Sequence, residues 1–169
     1  CKTRTKVVFG AGDQQARLMI IGEAPGYHED RQGEPFVGRA GQLLTAMLRS
    51  IGLSRASVYI ANVIKCRPPN NRDPVPAEVQ ACGHFLQAQL QLVQPKLLLV
   101  LGRVAAQCLL QPSSSLQQLR GVMHYTVEHI PTIVTYHPAY LLRNPAAKAA
   151  AYEDLRLLMQ LCLDLQIQL

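Results

Sequence analysis

A chain of 169 residues has the size of one ordinary domain, long enough to bury a core without disulfide staples. Its 49% hydrophobic and 17% charged residues exclude intrinsic disorder, and no apolar run reaches the roughly 18 residues of a membrane-spanning helix. The formal charge of +6, with a pI near 9.3, leaves an anionic partner open without requiring one.

Apolar runs alternate with helical patterns, which predicts an α/β domain. Residues 7–9 offer a short strand at the front. Residues 17–22 (RLMIIG) read as a buried strand that ends in a Gly/Pro turn. Residues 39–51 carry Leu43, Leu44, Met47, Leu48 and Ile51 at helical spacing. A second strand follows at 57–63, and a helix at 76–93 opens on a proline and stops before Pro95. Residues 96–102 (KLLLVLG) form a third strand, leading into a short helix through Val104, Ala105 and Leu109. After a loop at 111–115 come a fourth strand at 131–136 and a closing amphipathic helix at 146–163. The expected architecture is a three-layer α/β/α sandwich with a mostly parallel central sheet of about four strands. No repeat or linker is visible, so residues 1–169 read as a single domain.

The chemically unusual residues follow strand ends, and the carboxyl edge is where ligands bind on open parallel sheets. Gly22-Glu23-Ala24-Pro25-Gly26 follows the first strand and continues through Glu29 and Asp30 to Phe36 and Arg39. Its glycines would let the backbone approach a ligand. A strand-to-helix turn with solvated carboxylates is the alternative, and the GxGxxG spacing of a dinucleotide loop is absent. Asn62 ends the second strand, with a planar amide suited to reading a pyrimidine edge, or serving as a satisfied turn residue. The prolines and asparagines after it enforce a turning loop that carries Lys65, Arg67 and Arg72, either towards phosphates or into solvent. His137 follows the fourth strand. Leu141, Leu142 and Arg143 come after it on a loop, where two leucines suit a wedge into a base stack or the start of the last helix's apolar face.

Taken together, GEAPG-x2-ED-x4-PFVGRAGQLL, N-x2-KCRPP-x-NR and HP-x-YLLR, in this order, resemble the family 4 iron–sulfur uracil-DNA glycosylases. The resemblance runs from about residue 3 to residue 143. It implies a uracil-DNA glycosylase-like fold and a monofunctional hydrolase of base excision repair, which flips uracil out of DNA and cleaves its N-glycosidic bond, leaving an abasic site. The matched positions would act as follows. Ala24 and Gly26 would shape the pocket, Phe36 would stack on uracil and Asn62 would read its edge. His137 would hydrogen-bond the oxygen on which charge develops. Glu23 would shape the strand-end turn, and Glu29 would either orient the water or block the thymine methyl. Arg39, Arg67, Arg72, Leu141, Leu142 and Arg143 would contact DNA. A related group that bonds covalently to DNA through a loop histidine carries Gln where this chain has Ala24, and a basic insert that is missing here.

The resemblance also implies a [4Fe–4S] cluster held by four cysteines in the full-length protein. Cys66 and Cys82 match two ligands. The other two normally form a C-x2-C pair upstream, so this chain, which opens at Cys1 without a methionine, is expected to lack an N-terminal leader bearing them. Cys1 is a candidate ligand or an extra cysteine after that pair. Cys108 and Cys162 are expected in the core, and His28, His84, His124 and His129 at the surface or in loops. The implied partner is uracil-containing DNA, single- or double-stranded. The implied setting is a cytoplasmic monomer of bacterial or archaeal type, away from membranes. A non-catalytic DNA- or replisome-binding module on the same fold is the competing reading, and a glycosylase for another deaminated base is a third.

Overall fold

The computed structural model describes residues 4–110 and 113–167. At the centre lie four parallel strands whose residues are almost all buried: β2 (Leu18–Gly22), β3 (Tyr59–Asn62), β4 (Leu97–Leu101) and β6 (Pro131–Thr135). Their near-continuous apolar runs are what a sheet covered on both faces demands. Short antiparallel strands flank them, β1 (Ala11–Gly12) against β3 and β5 (Met123–Tyr125) against β6, giving the order β1-β3-β2-β4-β6-β5.

The strand period of two divides the sheet's side chains between two cores. Leu18, Ile20, Leu97, Leu99 and Ile133 face one side, where they meet Leu44 and Leu48 of α2 (Arg39–Arg49) and Leu155 and Leu158 of α7 (Lys148–Asp164). Met19, Ile21, Leu98, Val100 and Val134 face the other. There they meet Leu86 and Leu90 of α3 (Pro76–Val93), Ala105 and Ala106 of α4 (Arg103–Leu109) and Leu119 of α5 (Leu116–Leu119). Helices therefore cover both faces, and among the described residues no helix is long and apolar enough to cross a membrane.

Several expectations need correction. The sheet has six strands rather than about four, because both edge strands are too short and too exposed to leave an alternating pattern. The front strand lies at Ala11–Gly12 and not at 7–9, where a single bond from Val8 N to Lys65 O (2.9 Å) stands in place of a ladder. The segment bearing Glu29 and Asp30 is a helix, α1 (Tyr27–Gln32), stopped by Gly33 in the left-handed region (φ 86°). The segment after His137 is likewise a helix, α6 (Pro138–Arg143), and not a loop. Cys162 is buried as expected, but Cys108 is exposed, because Ala105 and Ala106 form the buried stripe of the short α4. Gln111 and Pro112 of the expected 111–115 loop lie outside the described residues, as does Cys1.

Candidate active site

The register pairs Gly22 of β2 with Asn62 of β3, while β4 and β6 run level beside them. The segments that leave these strand ends enclose a cleft of about 370 Å³, whose walls include Glu23, Glu29, Phe36, Asn62, His137 and Tyr140. Thus Glu23, Ala24, Gly26, Glu29, Phe36, Asn62, Arg72, His137 and Arg143 all converge on one site.

Asn62 is 1% exposed, and its buried Oδ1 has no hydrogen-bond partner among the described residues. An unpaired buried acceptor costs about 1–3 kcal/mol, so it marks a position built to receive a donor. Lys65 Nζ donates to the main-chain oxygen of Asn62 at 2.7 Å, anchoring this strand end from below. Gly22 makes room for the amide: a Cβ there would stand 2.5 Å from both Asn62 Oδ1 and Phe36 Cζ.

Phe36 adopts the left-handed region (φ 54°), a strained choice for an aromatic residue that its neighbours enforce. Arg55 donates to the main-chain oxygens of Pro35 (2.8 Å) and Phe36 (3.0 Å). Glu29 Oε1 accepts the amides of Val37 (2.9 Å) and Gly38 (3.0 Å). The ring thereby lies 5.5 Å from the His137 ring, tilted by 32°, on the cleft wall.

His137 caps α6, its Nδ1 accepting the Ala139 amide at 3.1 Å. That bond makes Nδ1 the acceptor of a neutral imidazole and leaves Nε2–H as the free donor. Burial, with Arg143 adding repulsion against the opposing pull of Glu29, lowers its pKa to about 4. The ring is therefore neutral at physiological pH. Burial has the opposite sign for Glu23: with Asp73 adding to it and Arg103 opposing, its pKa rises to about 7. Arg103 is held by Asp73 at 3.0 Å.

The basic residues divide. Arg39 and Arg143 are exposed. Arg67 bonds Asn71 Oδ1 (2.6 Å) and lies over the Tyr27 ring. Arg72 is a structural tie, making a bidentate pair with Glu78 at 2.8 and 2.9 Å. Leu141 is 1% exposed and packs in the core, so of the two leucines only Leu142, at 37%, can reach outward. Asp30 is also structural, accepting the amide of Thr5 at 2.8 Å. Arg55 and Asp73 gave no signal in the sequence, because each acts through a contact that only the fold creates.

Cys66 and Cys82, both buried, approach the same guanidinium: Arg4 Nη1 lies 2.9 Å from Cys66 Sγ, and both thiols raise the Arg4 pKa. Two thiols gathered at one cation are the donor type that a thiolate-held cluster uses. Among the described residues, no group of three or more His, Cys, Asp or Glu side chains comes together to complete one.

Residues 9–156 match the family model of the Uracil DNA glycosylase superfamily. The chain is 45% identical to a type-4 uracil-DNA glycosylase of Archaeoglobus fulgidus, covering 95% of this chain and 84% of that one. It is 48% identical to a type-4 uracil-DNA glycosylase of Thermotoga maritima, over 83% of this chain and 74% of that one. A type-5 uracil-DNA glycosylase of Thermus thermophilus is 36% identical over 61% of this chain and 53% of its own length. The chain belongs to the Uracil DNA glycosylase superfamily and, within it, to the type-4 uracil-DNA glycosylases.

Proposed function

We propose that this chain, as a single α/β/α-layered domain, removes uracil from DNA by hydrolysing its N-glycosidic bond and leaves an abasic site. The observation that carries the chemistry is the pairing, in one cleft, of an orphaned Asn62 acceptor with a neutral histidine donor. Uracil offers an N3–H donor between two carbonyl oxygens. Asn62 Oδ1 would accept N3–H and its amide would donate to the adjacent oxygen, an arrangement that cytosine cannot satisfy.

Phe36 would stack on the extruded base, offsetting part of the cost of unstacking it. As the glycosidic bond breaks, electrons move onto the base and charge gathers on the oxygen that His137 Nε2–H would meet. A neutral donor fixed before reaction stabilises that charge without reorganisation, worth roughly 10²–10³ in rate. Water then adds to the sugar carbon, with its proton passing to solvent or to a carboxylate. Glu29 spends Oε1 on the Phe36 turn, so its role is to position that turn. Glu23, desolvated at the strand end, is the better placed to orient water. This reverses the expectation from sequence.

The partner would be uracil-bearing DNA, met through Arg143 on the cleft wall and through the exposed Arg39 and Leu142. Cys66 and Cys82 would hold two corners of a [4Fe–4S] cluster tying the loop after β3 to α3. The test is to incubate the holoprotein with an oligonucleotide carrying one uracil and with its cytosine counterpart. Free uracil and an alkali-labile site from the first alone are expected. Salt-sensitive binding without product would overturn the reading.

A further inference from the structure

Tyr140 is not accounted for by the pocket chemistry, yet its ring is held more firmly than its exposure suggests. It lines the cleft and is 39% exposed. One face stacks on Tyr136, with centroids 5.0 Å apart and planes 20° from parallel. Tyr136 is backed in turn by the Arg120 guanidinium, 4.0 Å from its ring centroid. Arg120 is itself fixed below the surface: Nε donates to Asp154 Oδ2 at 2.8 Å and Nη2 to the Ala150 oxygen at 2.6 Å. Asp154 also accepts from Thr135 Oγ1 at 2.6 Å. A buried ion pair, a cation–π contact and a ring stack thus run from the core to the cleft mouth.

Tyr136 takes one face of Tyr140, and the residue still keeps 39% of its area exposed where it lines the cleft. A flat π-surface fixed in advance, in a chain of charge +6 and next to the exposed Arg143, suits a nucleobase whose phosphate lies nearby. Because the ring is ordered before binding, little rotamer entropy is lost on contact. We propose that Tyr140 is a stacking platform for the base flanking the extruded uracil on the same strand, a binding role that rests on the glycosylase reading above. Leu142, two residues on and exposed, would fill the gap while Tyr140 holds the neighbour.

The test uses the holoprotein and single-stranded oligonucleotides in which the base 5′ or 3′ to uracil is replaced by a baseless tetrahydrofuran residue. For the wild type, removing the base on one side should raise KM on the order of tenfold with little change in kcat. Tyr140→Leu should show that loss already on the intact substrate and lose nothing more when the flanking base is absent. Tyr140→Phe, which keeps the ring, should restore the coupling, whereas Tyr136→Leu should weaken it. Wild-type KM unmoved by either replacement would overturn the platform without needing any variant to fold, and so would losses that simply multiply. No uracil release by the wild type from the intact oligonucleotide would instead overturn the glycosylase reading beneath it.

Discussion

The Nδ1 atom of His137 accepts the Ala139 amide at 3.1 Å, so one hydrogen bond sets both the start of α6 and the tautomer of the imidazole. The ring then needs no titration to act, because it stays a neutral Nε2–H donor above its pKa of about 4. Glu23 behaves differently. Its raised pKa means that the carboxylate is present above about 7 and is lost as pH falls through that value. The rate should therefore fall roughly tenfold per pH unit below about 7 along a single limb, to which His137 adds no second break near 6.5, where an ordinary histidine titrates. Glu23→Gln should lower kcat and abolish that acid limb; a pH–rate profile of both proteins checks this.

Gly22 is required by space and not by backbone freedom. Its missing side chain is what lets Asn62 and Phe36 approach each other. Gly22→Ala should fold, since the intrusion is confined to the cleft. It should lose on the order of 100-fold in kcat/KM by displacing both groups proposed to hold the base. Circular dichroism alongside uracil release separates this from misfolding.

Glu29 offers a test of its reassigned role. The Val37 and Gly38 amides need an acceptor, and Gln keeps one. Glu29→Gln should therefore cost roughly tenfold or less, and Glu29→Ala on the order of 100-fold, with Phe36 released from its left-handed turn. Equal losses in both variants would assign the water to Glu29.

The Arg120–Asp154 pair is buried, with side chains 8% and 1% exposed. Asp154→Ala would leave the guanidinium buried without its counter-charge. That should destabilise the protein by about 3–5 kcal/mol and lower Tm by roughly 10 °C, read by thermal unfolding.

The central strands were legible because a strand buried on both faces must be apolar throughout, as LMIIG and LLLVL are. The positions of Glu23, Asn62 and His137 at strand ends followed from the same pattern. Helices α1 and α6 escaped because six residues are too few to show a 3.6-residue period, although Gly26 and Gly33 bracket the first. The clamp on Phe36 was illegible for another reason. Arg55 reaches it from a 3₁₀ turn beyond α2, and no local pattern encodes a side chain that satisfies distant carbonyls. The wedge assignment was half legible: the sequence marks two leucines, but only the helical turn decides that Leu141 points inward and Leu142 outward.

In the proposed reaction Asn62 reads the base and His137 takes up its developing charge. The most direct measurement is the kcat and KM for uracil release from a single-stranded oligonucleotide by wild type, Asn62→Ala and His137→Ala. His137→Ala should lower kcat by roughly 10²–10³ with little change in KM. Asn62→Ala should raise KM and lower kcat/KM by at least as much, and erase the preference for uracil over cytosine. Release at wild-type rates by both variants, with that preference intact, would contradict the account.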